Sequence, residues 1–70
     1  MSTNLNHLTL TRREYHVLAL LCQGKTCKEI SRILQLSETT VKTYRERMLL
    51  KFEVNNSTEL AYTAAKMNIV

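Results

Sequence analysis

Proline is absent from this sequence of 70 residues, and glycine occurs only once. Sheet-rich folds depend on these two residue types in their turns, so their scarcity indicates a chain that is mostly helical. Aromatic residues make up 6% of the sequence, while the hydrophobic fraction of 44% is ordinary for a globular protein. The composition therefore predicts an all-α fold around one small core.

The sequence also lacks the arrangements that catalysis requires. A domain of about 60 residues buries only roughly 60% of the surface of its unfolded chain, which leaves no room for a deep catalytic cleft. No nucleophile is accompanied by an oriented base, and no glycine-rich loop is present to hold a phosphate. We therefore expect no enzyme activity, no catalytic residue and no cofactor.

Metal sites and membrane segments are likewise not indicated. Cys22 and Cys27 could combine with His7 or His16, but a zinc site uses four ligands in recognisable pairs, and no such cysteine pair exists here. We interpret Cys22 as a small, half-buried helix residue and Cys27 as a residue of a first helical turn, and we expect both to be reduced. No apolar run is long enough to span a bilayer, and no signal-peptide pattern opens the chain, so we expect a soluble cytoplasmic protein without a membrane partner.

Positive charge is in excess. Ten Lys and Arg residues stand against six acidic residues, which gives a net charge of +4 and a pI of about 9.4. Such a surface favours an anionic partner, and nucleic acid is the first candidate, although an acidic membrane or protein surface would satisfy the charge equally.

Helix-start signals divide the chain into four helices. The capping-box spacing, in which Thr or Asn precedes Glu by three residues, occurs at residues 11, 26 and 56, and Ser37 supplies a further N-cap. Gly24 ends the first helix because glycine takes a left-handed backbone without steric cost. We predict helices over about 12–23, 27–34, 38–52 and 57–67. They form a helix-turn-helix domain over 10–70, after a polar tail or linker remnant at 1–9.

Apolar residues at helical spacing give each predicted helix an inward face. At the C-terminus, Asn68 is expected to end the last helix, after which Ile69 and Val70 fold back onto the core. The expected inward residues are Val17, Leu18 and Leu21 in the first helix; Ile30, Ile33 and Leu34 in the second; Val41, Tyr44, Arg45, Met48, Leu49 and Phe52 in the third; and Leu60, Ala64 and Met67 in the fourth.

The stretch from Cys27 to Glu46 predicts a helix-turn-helix. Two helices that cross steeply need a small residue in the first, an apolar residue in the turn and a branched apolar anchor early in the second, and Ser31, Leu36 and Val41 occupy those places. The third helix then leaves an open polar side, which suits entry into a DNA major groove. Its residues are Thr39, Lys42, Thr43, Glu46 and Arg47.

Two further surfaces are candidates for binding. Lys28 lies near a helix N-terminus, where it could hold a backbone phosphate or simply be solvated. The fourth helix carries a second surface of small residues around one tyrosine, which is either a partner face or an ordinary exposed face. That surface consists of Thr58, Ala61, Tyr62 and Ala65.

From Leu10 to Val70 the chain resembles the LuxR-type (GerE-like) helix-turn-helix family of bacterial transcription regulators. The resemblance is carried by several motifs in order: Leu10-Thr11-x-Arg13-Glu14-x-x-Val17-Leu18, Gly24-Lys25, Lys28-Glu29-Ile30, Ser37-Glu38-x-Thr40-Val41-Lys42, then Lys51, Val54, Glu59 and Ala64, and the closing Asn68-Ile69-Val70. It implies a four-helix domain whose third helix reads the major groove and whose fourth supports a homodimer.

The resemblance also implies roles for individual residues. Base-facing positions of the family fall on Lys42, Thr43 and Glu46, which belong to the open side already described. The phosphate-contacting positions that the family implies are Lys28, Ser37, Thr40 and Arg47.

The chain departs from the family pattern at several positions. Glu53 stands where glycine often closes the third helix, so it requires either a strained backbone or a different helix end. Ser57 replaces a frequent arginine, which removes an anchoring or phosphate-binding group. Glu46 is acidic on a DNA-facing surface, where it either accepts a hydrogen bond from a cytosine amino group or repels phosphate. The other departures are Arg12, Ser31 and Tyr44.

The sequence thus predicts sequence-specific binding of double-stranded DNA by a bacterial transcription regulator, as a weak homodimer on two half-sites. Because a single helix-four contact buries little area, we expect a monomer at low concentration that pairs on DNA. The alternative is a protein-interaction module that uses the third or fourth helix to bind RNA polymerase or another regulator.

Overall fold

The computed structural model describes residues 10–69, and within that range it contains four α-helices and no strand. Helix α1 spans Arg12–Cys22, α2 spans Cys27–Leu34, α3 spans Glu38–Phe52 and α4 spans Ser57–Lys66. The predicted all-α fold is confirmed, and the helix bounds agree with the prediction to within one residue. The predicted tail at 1–9 and the predicted folding back of Val70 lie outside the described residues.

The first two helices begin with the predicted capping boxes. The hydroxyl of Thr11 accepts a hydrogen bond from the backbone N–H of Glu14 at 3.1 Å, and the Glu14 carboxylate accepts one from the Thr11 N–H at 3.0 Å. The same reciprocal pair joins Thr26 and Glu29 at the start of α2. Two backbone donors that lack partners inside each helix are thereby satisfied.

The cap of α4 differs from the prediction in one bond. The Asn56 side chain accepts a hydrogen bond from the Glu59 N–H at 2.9 Å, as predicted for an N-cap. The Glu59 carboxylate, however, accepts from the N–H of Asn55 at 2.8 Å rather than from that of Asn56. The nearly extended backbone of Asn56, with φ of −156°, accompanies this shift by one residue.

Residues with a left-handed backbone follow the helices. At Gly24, φ is 90°, and within residues 10–69 the other positions with positive φ are Gln35, Glu53 and Asn68. An L-residue in this conformation costs about 1–2 kcal/mol. Of the two possibilities considered for Glu53, the structure adopts the left-handed backbone, with φ of 57°.

One core unites the four helices, because α1 packs against the other three and α3 packs against both α2 and α4. Ile33 and Met67 were predicted to face inward, and this is wrong: they are 52% and 39% exposed. Tyr44 and Arg45 are only half-buried. The buried apolar residues are Val17, Leu18, Leu21, Ile30, Val41, Met48, Leu49, Phe52, Leu60 and Ala64.

An ion pair between a buried carboxylate and a half-buried lysine joins α1 to α3. Lys51 Nζ lies 2.9 Å from Glu14 Oε1, and the Glu14 side chain is only 7% exposed. Burial by itself would raise the pKa of Glu14, but the Thr11 N–H bond, the Lys51 ammonium and the charge of Arg47 together hold that pKa below its ordinary value of 4.5. Glu14 is therefore ionised at neutral pH, and its carboxylate links α1 to Lys51 of α3.

Candidate nucleic-acid interface

The turn between α2 and α3 fixes the second helix of the helix-turn-helix. Gln35 has a left-handed backbone with φ of 58°, and the N–H of Leu36 donates to the carbonyl of Ser31 at 2.9 Å. Leu36 is half-buried against the core, and Val41 is fully buried. The predicted roles of Leu36 in the turn and of Val41 as the anchor are confirmed, so one side of α3 is held and the opposite side is open.

Two of the predicted phosphate-contacting residues lie together at the N-terminus of α3. Ser37 is the N-cap, and its Oγ accepts a hydrogen bond from the Thr40 N–H at 3.0 Å. The same Oγ donates to the hydroxyl of Thr40 at 2.8 Å. The remaining N–H groups of the first turn and the positive end of the helix dipole favour an anion at this position.

The three predicted base-reading residues are all exposed on α3. Lys42 Nζ lies 3.7 Å from a carboxylate oxygen of Glu38, but the two side chains are 60% and 47% exposed. A pair so exposed is weak, so the ammonium of Lys42 can exchange this partner for a phosphate or a base. The hydroxyl of Thr43 donates to the carbonyl of Thr39 at 3.1 Å, so its donor is used within the helix while its oxygen can still accept a hydrogen bond.

Glu46 is held by Arg45, which helical spacing predicts to face the core. Arg45 Nη1 lies 3.0 Å from Glu46 Oε2, while Arg45 Nε donates to Ser57 Oγ at 2.9 Å. Arg45 therefore connects Ser57, the first residue of α4, to Glu46 on the open side of α3.

The other two predicted phosphate-contacting residues occupy separate positions. The guanidinium carbon of Arg47 lies 5.8 Å from the centre of the Tyr44 ring, a cation–π distance that restricts the arginine while leaving it exposed. Lys28 is exposed in the first turn of α2, where its carbonyl accepts a hydrogen bond from Ser31 Oγ at 2.7 Å. Lys28 is thus the one predicted phosphate-contacting residue that lies outside α3 and its N-cap.

The predicted dimer face lies on α4. Tyr62 is 65% exposed, and the ammonium of Lys66 lies 5.5 Å from its ring centre. Thr58 and Ala65 are exposed, whereas Ala61 is half-buried. Beside this face, α1 and α4 form a groove of about 460 Å³, lined by Tyr15, Ala19, Cys22, Gln23, Ala61 and Ala65.

The described residues offer little other chemistry. Cys22 and Cys27 are free and half-buried, and burial raises the pKa of the Cys22 thiol. Within residues 10–69, no group of three or more His, Cys, Asp or Glu residues is placed to hold a metal ion. In the same range, no helix has the length and apolar character needed to cross a membrane.

Comparison with known proteins adds to this geometry. The sequence model for "Bacterial regulatory proteins, luxR family" matches residues 8–64. The chain is 45% identical over 60 residues to the uncharacterized response regulatory protein YgeK of Escherichia coli, covering 86% of this chain and 41% of YgeK. It is 39% identical over 66 residues to the transcriptional regulatory protein LiaR of Bacillus subtilis, covering 94% of this chain and 31% of LiaR.

A solved structure shows the same fold. The structure of the Vibrio cholerae VqmA dimer, described in connection with the DNA-binding mechanisms of LuxR-type receptors, aligns with a TM-score of 0.86 and 34% sequence identity. The alignment covers 89% of this chain and 28% of the VqmA chain. The present chain therefore spans less than half the length of each of these three proteins.

Proposed function

Because the chain belongs to the luxR family of bacterial regulatory proteins, we propose that it binds double-stranded DNA in a sequence-specific way as part of a transcription regulator. The single observation that carries the proposal is the exposed polar side of α3, which follows directly on the turn of a helix-turn-helix and is backed by the buried anchor Val41. The proposed compartment is the cytoplasm, where bacterial DNA lies.

In the proposed complex, the N-terminal half of α3 enters the major groove. Lys42, Thr43 and Glu46 face the base edges, because they are exposed on one side of the helix. Lys and Glu are suited to guanine and cytosine respectively, while a threonine methyl can contact a thymine methyl.

Phosphate contacts in the proposed complex flank these residues and supply most of the affinity. Ser37 and Thr40 present the N-terminus of α3 to the backbone, with Lys28 and Arg47 adding positive charge. Each neutralised phosphate releases condensed counterions, so the affinity falls as the salt concentration rises. No chemical step is involved.

The proposed regulator acts as a homodimer on two half-sites, paired through Thr58, Ala61, Tyr62 and Ala65 of α4. Support for this face comes from the exposed Tyr62 and from the groove beside Ala61 and Ala65. Since one helix buries a small interface, the pairing is weak without DNA. Sedimentation should show a monomer at low concentration, whereas a tight dimer in the absence of DNA would contradict this part of the proposal.

A duplex titration tests the proposed function. Fluorescence anisotropy with a mixed-sequence duplex should show binding that weakens steeply as salt is raised, because non-specific binding is electrostatic. Selection from random duplexes should then yield a preferred site. If no duplex binds even at low salt, the proposal is wrong, and the alternative of a protein-interaction module that holds RNA polymerase or another regulator takes its place.

A further inference from the structure

A second concave surface lies between α1 and α2, and none of the residues assigned to DNA lines it. It consists of two adjoining hollows of about 460 Å³ and 290 Å³ that share His16, Ile33 and Leu34. We call it the α1–α2 groove. Leu20 and Ala19 contribute to the smaller hollow, so the floor is mainly aliphatic.

Ile33 is the unexpected member of this groove. It lies at helical spacing from the buried Ile30, yet it remains 52% exposed after the helices have packed. A single exposed isoleucine is ordinary on a protein surface. Here, however, the side chain borders a hollow lined by other apolar groups, which together form a surface that could receive an apolar side chain from outside.

The charged residues that line the α1–α2 groove are basic. Arg12 and Arg13 line its larger hollow together with His16, and no Asp or Glu lines either hollow. Both arginines are exposed. The salt bridges within residues 10–69 join Lys42 to Glu38, Arg45 to Glu46 and Lys51 to Glu14, so neither Arg12 nor Arg13 takes part in one.

We propose that the α1–α2 groove is a docking site for an acidic amphipathic helix of a partner protein. The apolar side of that helix would cover Ile33 and Leu34, while its flanking carboxylates would pair with Arg12 and Arg13. Helices dock in grooves through apolar residues at spacings of three and four, and charged residues at the rim set the orientation. An aliphatic floor favours such a helix over a phosphate backbone, which offers no apolar surface to bury.

This inference goes beyond the proposed DNA binding and does not depend on it. The predicted base contacts lie on α3 and the predicted dimer face on α4, and Lys28, the predicted phosphate contact on α2, lines neither hollow of the groove. A peptide titration without DNA therefore tests the groove alone, and failure of DNA binding would leave its result unaffected.

The probe is a synthetic helical peptide of about four turns, with leucine at spacings of three and four and glutamate at the flanking positions. Two matched peptides carry lysine in place of glutamate, or serine in place of leucine. In a titration followed by amide NMR, we expect the first peptide to shift resonances of α1 and α2 and both matched peptides to bind more weakly.

Substitutions identify the contacts. Ile33→Ala should weaken peptide binding about tenfold, the typical effect of truncating an apolar anchor. Leu50→Ala is the matched control, because Leu50 is a 79% exposed aliphatic residue on α3 outside the groove, and binding should be unchanged. Arg12→Ala combined with Arg13→Ala should weaken binding and reduce its salt dependence, whereas Lys66→Ala on α4 should have no effect.

Three results would overturn the inference. Equal binding by the Ile33→Ala and Leu50→Ala variants would show that the groove does not hold the peptide. Resonance shifts confined to α3 or α4 would place the peptide elsewhere. A reduced salt slope of duplex binding in the double arginine variant, with unchanged peptide binding, would assign Arg12 and Arg13 to DNA phosphates instead.

Discussion

Arg45 Nε donates a hydrogen bond of 2.9 Å to Ser57 Oγ, which ties the middle of α3 to the first residue of α4. The same guanidinium group lies 3.0 Å from a carboxylate oxygen of Glu46. The hydroxyl of Ser57 thus anchors Arg45. The orientation of Glu46 on the open side of α3 is thus linked to α4, the helix proposed for dimer pairing.

Ser57→Ala should make the side chain of Glu46 more mobile without unfolding the domain. The lost hydrogen bond is partly buried, so the free energy of unfolding should fall by about 0.5–1.5 kcal/mol. Base preference at the position that Glu46 faces should weaken, because Arg45 no longer holds the carboxylate in one place. A binding profile with every base at every position of the selected duplex measures this effect.

Ser57→Thr is the matched control for that change, since it keeps a hydroxyl oxygen at the same position. The threonine variant should retain the base preference of the original protein. If the alanine and threonine variants have identical profiles, the Arg45–Ser57 bond does not position Glu46.

Glu46→Ala should relax the preference at one base pair, by about 1 kcal/mol or more, if its carboxylate accepts from a cytosine amino group. The effect should exceed that of Ser57→Ala, because the reading group itself is removed. The base-by-base profile again provides the measurement. A uniform rise in affinity for all duplexes would instead mean that Glu46 acts by repelling phosphate.

Lys42→Ala should weaken duplex binding, and the magnitude of the salt slope should fall by about one if Lys42 contacts a phosphate. The weak ion pair between Lys42 and Glu38 does not prevent this contact, because both side chains are largely exposed. Lys25→Ala removes the same charge from an exposed residue between α1 and α2 that has no assigned contact, and it serves as the control. An affinity and slope equal to those of the original protein would exclude Lys42 from the interface.

The sequence was sufficient to predict the helices because their signals are local. Caps such as Thr11 and Thr26 act within one turn, and their hydrogen bonds are present as predicted. The exposure of Ile33 could not be predicted in this way. An eight-residue helix carries a narrow buried face, and the crossing of α1 and α3 over α2 decides which side of the apolar stripe is covered.

The candidate site shows the same division between local and tertiary information. The exposure of Lys42, Thr43 and Glu46 follows from the helical period once Val41 is taken as the anchor. The role of Arg45 depends on Ser57, which lies 12 residues further along the chain. Helical periodicity within α3 contains no information about a partner on α4.

Glu53→Gly should stabilise the domain by about 1 kcal/mol. Glu53 is exposed and has a left-handed backbone, which is less unfavourable for glycine than for an L-residue. For a domain of this size, the midpoint of thermal unfolding should rise by roughly 4–8 °C. Calorimetry provides the measurement.

Gly24→Ala tests the same backbone effect in the opposite direction. Apart from its two chain neighbours, an added methyl group at Gly24 would meet no atom within 4 Å, so we attribute any loss of stability to its φ of 90°. The variant should be less stable than the original protein. Thermal midpoints that move in the same direction for both variants would refute this explanation of the helix ends.

The Glu14–Lys51 pair makes stability depend on pH in a definite direction. The pKa of Glu14 is lowered in the folded protein: burial raises it, but the Thr11 N–H bond and the positive charges of Lys51 and Arg47 have the larger combined effect. A lowered carboxylate pKa means that the unfolded chain binds the proton more readily. Its stabilising contribution is therefore complete above the ordinary pKa and is lost as the pH falls through the folded pKa.

Glu14→Gln should lower the free energy of unfolding by about 2 kcal/mol at pH 7, because the buried charge partner of Lys51 is removed while an amide oxygen can still cap α1. Urea unfolding over the acidic range should show the difference between the two proteins shrinking as Glu14 becomes protonated. Glu29→Gln alters a matching capping box on α2 in which no salt bridge takes part, so it should have a smaller effect. A pH-independent difference between the Glu14→Gln variant and the original protein would show that packing, rather than charge, accounts for the loss.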